Sequence, residues 1–112
     1  MAAAFEVHSL IGGGMAEEIY QESLEIELEL RAIPFLSKAP LNAQYKGVTL
    51  RKEYFPDLLL NGGIVTELKA VAKLLPEHEA QLLNYLRITG LQTGYLINFG
   101  PVTKVEWKRF VI

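Results

Sequence analysis

The sequence predicts a single α/β domain over residues 1–112, with a central mixed β-sheet flanked by helices in the order ααβββαββ. Three observations carry that expectation. Asn61-Gly62-Gly63 separates two short, apolar, β-prone runs, Phe55 to Leu60 and Ile64 to Lys69, as a three-residue hairpin loop requires. Pro76 to Thr89 has proline in its first turn, Glu77 and Glu79 near its start and Gly90 just past its end, which are helix limits. Further β-prone runs lie on both sides of that helix.

Taken in order, Ala2 to Leu10 reads as a helix with Phe5 among small residues, broken by Gly12-Gly13-Gly14. Met15 to Arg31 is ambiguous by period alone, because Leu24 to Leu30 alternates apolar residues with Glu as a strand would. Its opening, Ala-Glu-Glu-Ile-Tyr-Gln-Glu, decides for a helix: Glu is depleted in strands and favourable near a helix N-terminus, and Ile33-Pro34 ends the segment at a helical length. Leu36 to Tyr45 and Val48 to Leu60 read as strands joined at Lys46-Gly47 and leading into the hairpin. Beyond the 76–89 helix come a strand Thr93 to Asn98, a turn at Gly100-Pro101 and a last strand Val105 to Val111, in which Trp107 and Phe110 face the core or the sheet surface. No internal repeat, low-complexity tract or linker interrupts this order.

Half of the 112 residues are hydrophobic, enough for one real core and too few residues for a second domain. No run of about 18 apolar residues offers a membrane span, and no basic start with a long apolar stretch marks a signal peptide, so a cytoplasmic protein without membrane partners is expected. Cysteine is absent, which removes disulfide scaffolds, thiolate zinc sites and cysteine nucleophiles together. Any metal site must therefore use oxygen or histidine. The formal charge of -2, with no block of Lys or Arg, gives no footprint for tight duplex binding and counts against a simple DNA-binding protein. Gly12-Gly13-Gly14 lacks the spacing of a phosphate loop, and Ser9, Ser23 and Ser37 lack a nucleophile-elbow context.

The chemistry concentrates at the hairpin. If Leu60 pairs with Ile64, the same register sets Asp57 opposite Glu67 on one face, with Lys69 on that face too. Two carboxylates facing each other repel, weakening the sheet by about 0.2–1 kcal/mol or raising one pKa. A bound cation removes the conflict, and two acids beside a lysine can hold a divalent metal over a phosphate. The structural alternative is a strand-edge Asp57 with Glu67 and Lys69 as an exposed ion pair of little energetic consequence. On the second helix, Glu17 shares a face with Tyr20 and Leu24, so it either reaches inward to a partner or sits at the rim as a first-turn acid favoured by the helix dipole. On the 76–89 helix, His78, Gln81 and Tyr85 share a face that borders a stripe of Leu82, Leu83 and Leu86. His8 and His78 have no shared ligand spacing, and a lone histidine is more often structural than a ligand.

These blocks, in order, resemble the GxxExxY proteins, a small branch of the PD-(D/E)XK nuclease superfamily, over nearly the whole chain. The name-giving motif is Gly14-Met15-Ala16-Glu17-Glu18-Ile19-Tyr20, preceded by Phe-Glu-Val-His at 5–8. Pro56-Asp57-Leu58-Leu59 and Glu67-Leu68-Lys69-Ala70-Val71 are similar to the two core motifs of the superfamily. His78-Glu79-Ala80-Gln81-Leu82-Leu83-Asn84-Tyr85-Leu86 resembles the helix that follows, with Gln81-X-X-X-Tyr85 similar to a motif of the branch containing bacterial recombination nucleases; Ile97-Asn98-Phe99-Gly100 resembles the late strand.

The resemblance implies a restriction-endonuclease-like core in which Asp57 and Glu67 ligate Mg²⁺ or Mn²⁺, with Glu17 as a further ligand or a supporting acid. It implies that Lys69 orients or helps deprotonate the attacking water, that Gln81 and Tyr85 brace the lysine or contact a phosphate, and that His8 approaches the metal. The expected activity is hydrolysis of nucleic-acid phosphodiester bonds, DNA ahead of RNA. The rival is a catalytically inactive domain that keeps the fold and binds a nucleic acid or a protein, as a homodimer through exposed strand edges. The acidic second helix, with Glu17, Glu18, Glu22, Glu25, Glu27 and Glu29, would repel nucleic acid if it faced the substrate, so most of it is expected to point away.

Overall fold

The computed structural model describes Met1–Ile112. Helices α1 (Ala2–Ile11), α2 (Glu17–Leu30) and α3 (Pro76–Thr89) accompany strands β1 (Phe35–Ser37), β2 (Leu41–Tyr45), β3 (Val48–Tyr54), β4 (Leu58–Leu60), β5 (Ile64–Lys69), β6 (Thr93–Asn98) and β7 (Glu106–Val111). The α/β class is the expected one, but the order is ααβββββαββ where ααβββαββ was expected. Each long strand before the hairpin is divided beside a proline. Pro40 lies between β1 and β2, and Pro56 between β3 and β4; proline has no N–H for a ladder and fixes its own φ, so a central strand cannot run through it.

The division has a consequence for the site. β2 and β3 leave the main sheet and form a separate hairpin, turning at Lys46 and Gly47 with φ of 50° and 79°. The main sheet runs β1-β4-β5-β6-β7. Only the β5–β6 pair is parallel. A parallel pair needs a crossover, and α3 supplies it.

Strand alternation then sorts the core into two layers. Leu58, Leu68 and Ile97 join Tyr20, Leu24 and Leu28 under α1 and α2, whereas Leu59, Val65 and Leu96 pack against Leu82 and Leu86 of α3. Glu67 and Lys69 share the parity of Val65 on β5, so they belong to the α3 side. α2 resolves the period ambiguity of its sequence as a helix: its buried residues are Tyr20, Gln21, Leu24 and Leu28, a stripe one helical face wide. Ile26 and Leu30, which complete the Glu–apolar alternation, stay 53% and 76% exposed. Half of the alternating apolar residues are thus not core at all.

The sheet edges are β1, three residues long, and β7, which carries Lys108 and Arg109. A very short strand and a charged one are features that discourage strand addition to the main sheet, whereas β2 and β3 each keep an unpaired edge. No helix is long and apolar enough to cross a membrane.

Candidate active site

The hairpin register is the expected one: Leu60 faces Ile64, Leu59 faces Val65 and Leu58 faces Thr66. One step further, beyond the end of β4, lie Asp57 and Glu67. Here the ladder gives way to side-chain bonds. The Asp57 carboxylate Oδ2 accepts the Leu68 backbone N–H at 2.8 Å, and the Asp57 N–H lies 3.4 Å from Glu67 Oε1. Glu67 Oε1 also accepts the Tyr54 hydroxyl from the end of β3. Glu17, Asp57, Glu67, Lys69, Gln81 and Tyr85 all line one groove of about 500 Å³, with Lys52, Tyr54 and Phe55 from the β3 side. The site residues expected from four separate segments are thereby brought together, with the exception of His8.

Glu17 is placed by the glycine loop before α2. Gly12 and Gly14 have φ of 81° and 84°, a region that side chains other than glycine avoid. The fully buried Tyr20 holds that loop closed: its hydroxyl donates to the Gly12 carbonyl at 2.6 Å and accepts the Met15 N–H at 3.1 Å, while its ring stacks on Phe99 at 4.7 Å. The glycine, glutamate and tyrosine of the motif thus divide the work. Glycine makes the turn, tyrosine locks it, and glutamate one turn earlier on α2 faces the groove.

Gln21, one turn beyond Glu17, is a site residue that the sequence reading missed. Its Nε2 donates to the Asp57 backbone carbonyl at 2.9 Å and to Glu25 Oε2 at 2.7 Å, so α2 holds the Asp57 main chain in position. Its spacing of four from Glu17 on an inward stripe was the available signal. Tyr54 was missed as well; its ring stacks on Tyr85 at 3.6 Å between centroids, joining β3 to α3 across the groove. Gln81 Nε2 in turn donates to the Tyr85 hydroxyl at 3.2 Å. After Lys69 the chain is fastened by the buried Asn98, which bonds Val71 and Gly100, and by the Phe99 N–H donating to the Lys69 carbonyl at 2.9 Å.

Electrostatically the site carries excess negative charge. Burial pushes the Glu67 carboxyl up to about 7 against the opposing hydrogen bond from Tyr54, and the Asp57 carboxylate adds to the rise. Glu17 is raised by burial and by Asp57, with Lys69 offsetting part of it. The Tyr54 hydroxyl is pushed far upward by its own burial and by Glu67, so it remains a donor at any working pH. Lys69 takes part in neither of the two ion pairs of the chain, Arg31–Glu27 and Lys108–Glu79.

The Glu67 shift has a thermodynamic consequence. Between its ordinary 4.5 and about 7 the native state keeps a proton that the unfolded state has lost, so stability falls as pH rises through that window and levels off above it. At about 1.4 kcal/mol per pK unit, the loss is of order 1 to 3 kcal/mol. In EDTA, the denaturation free energy of the wild type is expected to drop from pH 5 to pH 7.5 by that amount relative to Glu67→Gln. Parallel profiles for the two proteins would show that Glu67 is not the group responsible.

His8 is not part of this groove, contrary to the expectation that it approaches a metal. It is buried under the 100–105 segment with its Nε2 2.7 Å from the Pro101 carbonyl; that contact makes Nε2 the protonated nitrogen and leaves it no lone pair for an ion. Nor do three acids or histidines cluster closely enough to cage an ion. Asp57 and Glu67 remain as the adjoining pair, with Glu17 a further acid of the same groove. Most of the acidic face of α2 does turn elsewhere: Glu18, Glu22 and Glu25 line a separate polar cleft with Gln21 and Lys38, which Glu17 also borders.

A mixed sheet with helices on both faces, and an acid–acid–lysine set gathered at the open end of a hairpin, define a nuclease-like α/β domain. The chain belongs to the PD-(D/E)XK nuclease superfamily, which its sequence matches over residues 1–110. Two solved structures are similar in fold. That of SSO0001 has a TM-score of 0.64 at 20% identity, covering 84% of this chain and 50% of its own; an alkaline exonuclease (LHK-Exo) from Laribacter hongkongensis has a TM-score of 0.53 at 13% identity, covering 96% of this chain and 75% of its own. The chain thus spans about half the length of SSO0001. No match was found among the curated proteins.

Proposed function

We propose that the groove hydrolyses phosphodiester bonds of nucleic acid, DNA ahead of RNA, with Mg²⁺ or Mn²⁺ held by Asp57 and Glu67. The observation that carries this is the gathering of Asp57, Glu67 and Lys69 in one groove in which burial and like charge leave Glu67 reluctant to ionise. The donor set fits such an ion. Carboxylate oxygens are hard ligands, and Mg²⁺ is commonly held by one or two carboxylates while keeping several waters, so a third protein ligand is not required. When bound, the metal supplies Lewis acidity toward the phosphodiester and toward the attacking water.

The remaining roles fall to residues of the chain. Lys69, unpaired within the protein, orients the attacking water and offsets negative charge that develops on the phosphoryl oxygens. Glu17 acts as a supporting acid that accepts a proton or a hydrogen bond from water in the groove. Gln81 and Tyr85, bonded to one another, brace the phosphate side of the groove. Membership of the GxxExxY branch is part of the same proposal and rests on the roles of Gly14, Glu17 and Tyr20.

A second reading, a nuclease-fold domain that binds without cutting, is favoured by two observations: Glu67 Oε1 is already taken by Tyr54, and no three-ligand cluster exists. Calorimetric titration with Mn²⁺ separates the two. Wild type is expected to give a saturable one-site isotherm that Asp57→Asn abolishes or weakens at least about tenfold, in line with about 1.4 kcal/mol or more for one lost carboxylate ligand. Identical isotherms for the two proteins would discard the metal site and leave the binding module.

A further inference from the structure

The groove has two banks of opposite charge. On one side stands Glu17, and beyond it the adjoining cleft of Glu18, Glu22 and Glu25, in which Lys38 is the one cation. On the other stands the β2–β3 hairpin, residues 41–54, which carries Lys46, Arg51 and Lys52 against one acid, Glu53, a net of +2 in a chain whose total is -2. The absence of a basic block in the sequence concealed this polarity, because the three cations are divided between the turn and β3.

The hairpin is also unlike the rest of the fold in what it exposes. It pairs with no strand of the main sheet, and its base is fixed by Leu41 and Tyr54 packed on the α3-side core. At the base of β3, Lys52, Glu53 and Tyr54 line the groove; the pairing with β2 then shifts register, and beyond it come Leu50 and Val48, with Tyr45 opposite Val48 across the turn. The hairpin therefore begins in the groove and continues outward with an exposed apolar ribbon, Leu50, Val48 and Tyr45 at 42%, 64% and 58% exposure. Lys46 Nζ lies 5.6 Å over the Tyr45 ring, so the aromatic surface and a cation are presented together at the tip.

We propose that this hairpin is the arm that captures a single nucleic-acid strand and leads it into the groove, a role that rests on the hydrolytic reading of that groove. The cations meet phosphates while Tyr45 and the aliphatic ribbon meet base faces. A single strand, rather than a duplex, is the occupant, because a duplex hides its base faces in the stack and offers nothing to the ribbon; grooves for unpaired strands combine cations with aromatic platforms in this way. The acidic bank repels phosphate and so sends the strand along the hairpin side.

Fluorescence anisotropy with a labelled 20-nucleotide single strand and the matching duplex, in EDTA to prevent cleavage, tests the arm. Wild type is expected to prefer the single strand. The double variant K46E/R51E is expected to weaken single-strand binding about tenfold or more and to lower the slope of log Kd against log salt by about 1.4, two phosphate contacts at about 0.7 each. Tyr45→Ala is expected to weaken it about fivefold or more by loss of stacking. Neither change touches the carboxylates, so the Mn²⁺ isotherm and the melting temperature should stay at their wild-type values. Wild-type affinity in K46E/R51E, a duplex preference, or a dimer in sedimentation that Val48→Glu dissolves would each overturn the inference. If wild type cuts nucleic acid while the hairpin variants bind as wild type does, the arm alone fails; if wild type neither binds nor cuts, the hydrolytic reading fails with it.

Discussion

Lys69→Ala is expected to reduce Mn²⁺-supported hydrolysis by about 10²–10⁴-fold, the range of effect for a positioned proton-transfer or charge-stabilising group, while leaving Mn²⁺ binding intact. The lysine is placed for this by strand parity alone. Glu67 and Lys69 are two residues apart on β5, so both enter the groove from one face, and β5 runs at the centre of the main sheet with β4 and β6 on either side. Its ammonium is not spent on an ion pair within the protein, so its donors are available to water or phosphate. Lys69→Arg keeps the charge but replaces a compact ammonium with a planar fork, and is expected to recover only part of the rate. Glu67→Gln is expected to abolish both hydrolysis and Mn²⁺ binding, which separates the ligand from the water-orienting group. Equal turnover by wild type and Lys69→Ala, measured under saturating Mn²⁺ on the same oligonucleotide, would remove the lysine from the mechanism.

The Asp57–Glu67 pairing, the side on which Lys69 lies and the hairpin register were legible because all of them follow from one short-range fact. A turn signal at Asn61-Gly62-Gly63 fixes the register, and a period of two fixes the faces. α3 was equally plain, since proline at its start and glycine in the left-handed region at its end, Gly90 with φ of 77°, bracket it. Glu17 needed more. Its inward direction depends on Tyr20 closing the glycine loop through bonds to Gly12 and Met15, and its spacing from Tyr20 hints at that contact without proving it.

What escaped the sequence were contacts between segments far apart in the chain. Gln21 reaches the Asp57 carbonyl, 36 residues away; its spacing from Glu17 marks an inward face but does not name the partner. Tyr54 looked like one more β-prone residue until Pro56 ended β3 and turned its hydroxyl onto Glu67. The expectation of unbroken strands from Leu36 to Tyr45 and Val48 to Leu60 failed for a local reason that was available, namely Pro40 and Pro56, and with it went the prospect of seeing β2–β3 as a separate arm. His8 was carried toward the metal by resemblance; the carbonyl of Pro101, 93 residues later, holds it elsewhere.

The largest loss of stability from a single substitution is expected at Asn98. Its side chain is fully buried at the end of β6 and bonds four groups: it accepts from the N–H groups of Val71 at 2.9 Å and Gly100 at 3.0 Å, and donates to the Val71 carbonyl at 2.9 Å and to Glu106 Oε1 at 3.1 Å. Glu106 Oε1 also accepts the Leu74 N–H at 2.9 Å, an arrangement that lowers the pKa of that carboxyl. Asn98→Ala removes one side chain and strands several partners, each at about 1–3 kcal/mol if it stays dry. Water entering the vacated space recovers part of this, so about 3–5 kcal/mol is expected in urea denaturation. Asn98→Asp fares no better, because it keeps the acceptor toward the two N–H groups but turns an oxygen toward the Val71 carbonyl and Glu106. Close packing leaves no room for the loop to reseal around the loss, since a Cβ on Gly100 would lie 2.0 Å from the Val71 carbonyl oxygen. The 70–75 loop that this residue fastens begins directly after Lys69, so the folded fraction of Asn98→Ala is expected to hydrolyse more slowly than wild type as well. Denaturation within about 0.5 kcal/mol of wild type, the range of an ordinary surface change, would mean that the loop is held by the backbone and that Asn98 is incidental to it.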